Sequence, residues 1–138
     1  MTQPAYSLDA QVGYLMRRAN QRHLAIFAAH IPALTPTQFA ALARLCEIGP
    51  LSQNALGRAV AMDAATIKGV ADRLRAKGLV TAAPDPDDRR RMILSATATG
   101  QTLFERLVDE GLAVSDETLS PLSQDEQRQF LDLLARLG

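Results

Sequence analysis

Apolar residues return at helical spacing along Leu8, Val12, Leu15, Ala19, Ile26 and Phe27, which predicts a first helix over about residues 8–30 that Pro32 stops. Thr35-Pro36-Thr37-Gln38 then combines an N-cap threonine, a proline at the first helical position and a glutamine at the third. A second helix should therefore run to about Glu47, where Gly49-Pro50 ends it. Ser52 is an N-cap for a short third helix through Ala59. Asp63 caps a fourth, in which Ile67, Val70, Ala71 and Leu74 make one apolar stripe and Gly78 takes the position just past the end. Short strands are expected at Leu79 to Ala82 and at Met92 to Ser95, flanking the loop Asp85-Pro86-Asp87-Asp88-Arg89-Arg90-Arg91. Thr97 caps a long fifth helix to about Thr118, and Ser123-Gln124-Asp125-Glu126 is a capping box that opens a sixth through Leu137. The sixth helix carries Phe130, Leu131, Leu133, Leu134 and Leu137, too apolar for a free terminal helix; it needs a partner surface.

Three residues, Val60 to Met62, separate the third and fourth helices, which is the spacing of a helix-turn-helix. Followed by a hairpin, the pair reads as a winged helix, so the fold expected is mainly α with a small β-hairpin. At 138 residues the chain fits one domain, or one domain with an extension used for pairing. Apolar residues make up 47% but aromatics only 4%, and Trp is absent, so Leu, Ala, Val and Ile must fill the core of closely packed helices.

A formal net charge of zero argues by itself against a nucleic-acid partner, but the charge is unevenly spread. From Arg58 to Arg91 eight Lys/Arg stand against five Asp/Glu, a local +3. Arg17, Arg18 and Arg22 against Asp9 add +2 before His30, whereas Glu105 to Asp132 carries eight acids and two arginines. One face can thus meet an anion while another does not.

The fourth helix is where DNA would be read. Opposite its apolar stripe it presents Ala64, Ala65, Lys68, Gly69, Asp72 and Arg75, with Thr66 and Arg73 as further DNA-binding candidates; small residues at the front let it enter a groove, and Lys68 can reach a guanine edge or a phosphate. Asp72 is expected to pair with Lys68 or Arg75. Ser52 and Gln53, at the start of the third helix, join this set. In the loop, Asp88 is placed to hold one arginine while another of Arg89, Arg90 and Arg91 projects into a narrow minor groove. A solvated amphipathic helix and a plain charged turn are the competing readings, and their succession favours DNA.

Other classes find little support. No phosphate-binding glycine loop, metal-spaced histidine pair or serine nucleophile elbow argues for an enzyme, and no cofactor is implied. His23 and His30 lie seven apart on one helix face without a carboxylate or thiol nearby, so no metal site is expected. Cys46 sits beside Leu45 and near Ile48 with no evident cation, which reads as a buried, inert thiol; redox sensing through it is the alternative. One cysteine cannot form an internal disulfide, no signal-peptide pattern opens the chain and no apolar run approaches the span of a bilayer, about 20 residues. A cytoplasmic protein without a membrane role is expected.

The residues Leu34-Thr35-Pro36-Thr37-Gln38, Gly78-Leu79-Val80, Asp88-Arg89-Arg90 and Thr97-Ala98-Thr99-Gly100 together give the chain, over essentially its whole length, the look of a MarR-family transcriptional regulator. Ala96 departs from the pattern, standing where leucine is usual, which bears on packing behind the wing. The resemblance implies a homodimer in which residues 1–34 form an N-terminal dimerisation helix, 35–100 the winged helix-turn-helix and 101–138 the C-terminal dimerisation helices. It implies two recognition helices about one turn apart on double-stranded DNA carrying a pseudo-palindromic operator. Family members usually repress, and often release DNA on binding a small, frequently aromatic, ligand.

The first helix is unusually polar for an element that must pack. Arginine is the natural partner of a carboxylate, and Gln21 to Phe27 and Asp63 to Gly69 look similar to regulators of aromatic-acid breakdown. The resemblance therefore suggests a small aromatic acid, or its thioester, as effector, held by Arg17, Arg18, Gln21, His23, Phe27 and Arg44. A ligand-independent winged-helix protein is the other reading.

Overall fold

The computed structural model describes residues 5–138, and these divide into two compact units, one of Ile31–Glu110 and one of the residues up to His30 together with Gly111–Gly138.

In the Ile31–Glu110 unit, α2 (Pro36–Ile48) begins at a complete capping box: the Gln38 amide donates to Thr35 Oγ1 at 3.2 Å and the Thr35 amide to Gln38 Oε1 at 3.2 Å. Gln38 is buried, and the Lys77 ammonium reaches the same oxygen at 3.3 Å while donating to the Ala33 carbonyl at 2.8 Å. α3 (Gln53–Ala59) starts at Ser52, whose Oγ accepts from the Ala55 amide, and α4 (Ala64–Ala76) starts at Asp63, whose carboxylate accepts from the Thr66 amide at 2.7 Å. Between them Ala61 takes φ 57°, the left-handed region, to turn the chain within the connection. Gly57 is buried where α3 meets α4; a Cβ there would stand 3.1 Å from an Ile67 methyl carbon, so the absent side chain sets how closely the helices approach.

The stripe of α4, Ile67, Val70, Ala71 and Leu74, is buried against Ala41, Leu42 and Leu45 of α2 and Leu56 of α3, with Leu94 closing the core. Removing each large aliphatic side chain from water contributes about 1.5–3 kcal/mol. Gly78, at φ 74°, ends the α4 segment and turns it into the sheet.

The sheet has three antiparallel strands rather than the two of a simple hairpin. β1 (Leu51–Ser52) pairs with β3 (Met92–Ala96), Leu51 opposite Leu94, and β3 pairs with β2 (Val80–Pro84), Val80 opposite Ala96 and Pro84 opposite Met92. The hairpin strands each run farther than their side-chain pattern predicts, to Pro84 and Ala96, because the ladder continues as long as partners stand opposite. Thr97 Oγ1 caps α5 (Ala98–Leu119) by accepting from the Gly100 amide at 3.0 Å, and donates to the Gly78 carbonyl at 2.7 Å. Phe39 and Phe104 meet with ring centroids 6.1 Å apart.

In the other unit the predicted first helix is interrupted near its start: a single 3-10 turn, Leu8–Ala10, precedes α1 (Val12–His30), with Gln11 extended between them. Arg22 of α1 donates to the carbonyls of Glu117 and Thr118, both at 2.8 Å, and so caps the C-terminal end of α5; His23 Nδ1 meets Thr118 Oγ1 at 2.9 Å, and His30 Nε2 meets Glu117 Oε2 at 2.7 Å. α6 (Gln124–Arg136) opens at its Ser123–Glu126 capping box, and Gln127 ties it back to the carbonyls of Leu119 and Leu122. Tyr6, Leu8, Val12, Leu15, Met16, Leu112, Phe130, Leu131, Leu133, Leu134 and Leu137 stay exposed. No helix among the described residues is long and apolar enough to cross a membrane.

Candidate nucleic-acid interface

α4 is amphipathic by sequence, and the stripe fixed by Ile67, Val70 and Leu74 decides what remains outside. Ala64, Ala65, Thr66, Lys68, Asp72, Arg73 and Arg75 are all exposed, and Gly69 is partly so. Lys68 Nζ and Asp72 Oδ2 lie 2.9 Å apart one helical turn along, with both side chains at least half exposed. Such a surface pair contributes little to stability, so its cation can exchange Asp72 for a phosphate or base edge at small cost. Nothing packs over Gly69, where an added Cβ would come no nearer than 4.0 Å to an Arg73 nitrogen. Hydrogen bonds from Thr66, its amide first, hold the Asp63 carboxyl below the usual carboxylate range, so the cap stays charged throughout the neutral region.

The loop between β2 and β3 is ordered by its own acids. The Asp85 amide donates to the Arg91 carbonyl and the Arg91 amide to the Asp88 carbonyl, which closes the tip. Asp88 accepts from the Arg90 amide at 3.1 Å and from Arg90 Nε at 3.2 Å; this side-chain bond is the larger reason its carboxyl lies below the ordinary value. Arg91 Nε faces Asp85 Oδ2 at 3.5 Å. Asp88 thus steadies one arginine, as its position in the sequence suggests, and Arg90 still exposes 92% of its side chain. Arg89 is exposed as well. Ser52 and Gln53 are half-buried where β1 passes into α3, beside the base of the wing. Asn54 and Arg58 line the same region, and sequence reading gives neither a role. The available signal was Arg58 itself, a cation closing the third helix inside the basic segment.

The residues expected to hold an effector are engaged to differing degrees. Arg17 and Gln21 are exposed, Arg18 lies over the Tyr14 ring at 5.8 Å, His23 is bonded to Thr118, Phe27 is buried, and Arg44 pairs with Glu47 at 3.0 Å. Cys46 is half-buried rather than buried. Burial first, then the charges of Glu105 and Glu47, push its thiol above the ordinary value, which disfavours the thiolate that redox chemistry needs. Among the described residues no group of three or more His, Cys, Asp or Glu side chains could hold a metal ion.

The winged segment has known counterparts. A model of the MarR family matches residues 34–92. The chain is 40% identical over 134 residues to the HTH-type transcriptional repressor NicR of Pseudomonas putida, covering 96% of this chain and 85% of that one. It superposes on a probable transcriptional regulator from Pseudomonas aeruginosa with a TM-score of 0.92 at 50% identity, over 96% of this chain and 100% of the other. It also superposes on BpsR of Bordetella bronchiseptica, described for the mechanism by which 6-hydroxynicotinic acid regulates its DNA binding, with a TM-score of 0.93 at 37% identity, over 97% of each chain.

Proposed function

The chain belongs to the MarR family, and from that premise we propose that it is a cytoplasmic repressor which, as a homodimer, grips an inverted-repeat operator and releases it when a small aromatic carboxylate binds. The observation that carries this reading is the pairing of α4, with its exposed Lys68, Arg73 and Arg75, and an arginine wing preset by Asp85 and Asp88. A helix of this kind fits a major groove, and a guanidinium on a hairpin tip fits the narrow minor groove beside it. Ala64, Ala65, Thr66 and Lys68 would face base edges, Arg73 and Arg75 phosphates, Ser52 and Gln53 the strand beside α3, and Asp88 to Arg91 the minor groove.

Dimerisation is supported by the apolar side chains that α6 and the N-terminal segment leave in water: Leu131, Leu133 and Leu137 are each at least half exposed. A second copy offers the matching surface, as a two-fold pair does.

For the effector, a free heteroaromatic acid is favoured over a thioester, because the similarity to NicR and BpsR extends over nearly the whole chain and 6-hydroxynicotinic acid regulates DNA binding by BpsR. Arg17, Arg18 and Gln21 of α1 supply exposed donors for a carboxylate, while His23 and Phe27 of the same helix would help orient and enclose the ring.

The test is a gel-shift titration on the duplex upstream of the chain's own gene. The protein should shift that duplex at lower concentration than a scrambled one, and 6-hydroxynicotinate should reverse the shift where benzoate acts less well. Equal affinity for both duplexes would overturn the regulator assignment. Specific binding that no small aromatic acid reverses would overturn the effector assignment alone.

A further inference from the structure

Beside the base of the wing lies a recess of about 310 Å³ bordered by Gln53, Asn54, Arg58, Arg90, Arg91 and Met92. Three guanidinium-bearing side chains line it and no carboxylate does; Asp85 and Asp88, which hold Arg91 and Arg90, stand outside the lining. A smaller hollow of about 180 Å³ shares Asn54 and Arg58 and continues to Met62, Ala64 and Ile67, at the start of α4. Asn54 and Arg58 therefore occupy the ground between the wing and the recognition helix. Both are exposed, and the Arg58 guanidinium makes no hydrogen bond or ion pair among the described residues.

Duplex geometry says what must pass over that ground. A protein that places a helix in the major groove and a hairpin in the adjoining minor groove straddles the sugar–phosphate strand dividing the two, and the surface between the two probes meets phosphate. We propose that Arg58, with Asn54 beside it, clamps a backbone phosphate of that dividing strand. This rests on the reading of the chain as a DNA-binding regulator. Arg90 and Arg91 each share their charge with an acid, so Arg58 is the lining cation with its full charge to give. The occupant is a phosphodiester of the duplex rather than a free anion, because the recess is bordered by Arg90 and Arg91 of the wing and shares Asn54 and Arg58 with the hollow that reaches Ala64 at the start of α4.

The experiment uses the full chain and the duplex that the wild type itself enriches from a random pool. Arg58→Ala should weaken that duplex and a random one by the same factor, and flatten the slope of log affinity against log salt by about 0.9 per phosphate, hence about 1.8 for a dimer. Arg58→Lys should keep most of the slope. Replacing single phosphates by neutral methylphosphonates should reveal one position per half-site that costs the wild type affinity and costs Arg58→Ala none. A slope unchanged in Arg58→Ala, or a methylphosphonate penalty that persists in it at every position, overturns the clamp while leaving the regulator reading intact. Inorganic phosphate that weakens the wild type more than chloride at equal ionic strength, with the excess lost in Arg58→Ala, would make the recess a free-anion site and also overturn it. A wild type that enriches no duplex sinks both readings together.

Discussion

Gly100 shows how one missing side chain holds the wing to the helix behind it. A Cβ at this position would fall on the Leu79 carbonyl oxygen and press on a Leu42 methyl, at the point where the Thr97 amide donates to that same carbonyl and Thr97 Oγ1 donates to Gly78. The obstacle is backbone, which cannot swing aside. Gly100→Ala should therefore lower stability by about 1–3 kcal/mol or more, the scale of core overpacking, read as a drop in the urea midpoint. A midpoint within error of wild type would mean that β2 and α5 can separate freely. The Asp63 cap makes a second prediction, with a pH signature. Its folded carboxyl lies below the ordinary value, so its stabilisation is complete above the usual Asp range, about 3.9, and is lost as pH falls through the lower folded value. Asp63→Ala should melt earlier than wild type by a constant margin from pH 7 to about 5, and the margin should close on further acidification. A margin that widened in acid would contradict the cap. Both residues were legible in the sequence, Asp63 as a cap and Gly100 as part of a motif, but the reason for Gly100 was not. It depends on a carbonyl 21 positions earlier that only the folded chain brings near.

Among the elements, α4 carries an internal conflict that separates stability from function. Glycine inside a helix costs about 1 kcal/mol relative to alanine, and Gly69 has no neighbour close enough to demand it. Gly69→Ala should raise the unfolding free energy by about 0.5–1 kcal/mol while weakening operator binding, because on the proposed reading the added methyl would stand where the helix approaches bases. Binding equal to wild type would place that side of α4 away from the groove. Helix positions and caps were read well from local pattern: Thr35, Ser52, Asp63, Thr97 and Ser123 all cap as their spacing suggests. Features that join distant segments were not. β1 is two residues long and shows no alternation of its own, and the break at Gln11 lies inside a stretch whose apolar spacing continues across it. The Arg22 cap on α5 spans 96 positions and the Lys77 bridge to Ala33 spans 44, so no local window contains either.

At the scale of the whole molecule, a chain of net charge zero segregates its charges along the sequence, as the proposed DNA binding requires, and its described residues leave apolar surface that the proposed second copy would cover. Leu133→Glu combined with Leu134→Glu should convert the dimer to a monomer in sedimentation and abolish operator binding at concentrations where the wild type binds. A double variant that still sediments as a dimer would move the interface away from α6. Wild-type thermal stability should rise with protein concentration, as it does when association and folding are linked. The order of helices and strands in the winged part followed from caps and stop signals, whereas the position of Arg58 needed the wing and the third helix side by side. That adjacency comes from the Leu51–Leu94 pairing, which also carries a cost in chain entropy. The β2–β3 hairpin closes a short loop, whereas the β1–β3 pairing encloses α3, α4 and β2 in a far longer one, and closure entropy grows with length. The two-residue strand is thus the longest-range stitch of the winged sheet, and a surface that spans α3 and the wing exists only where that stitch is made.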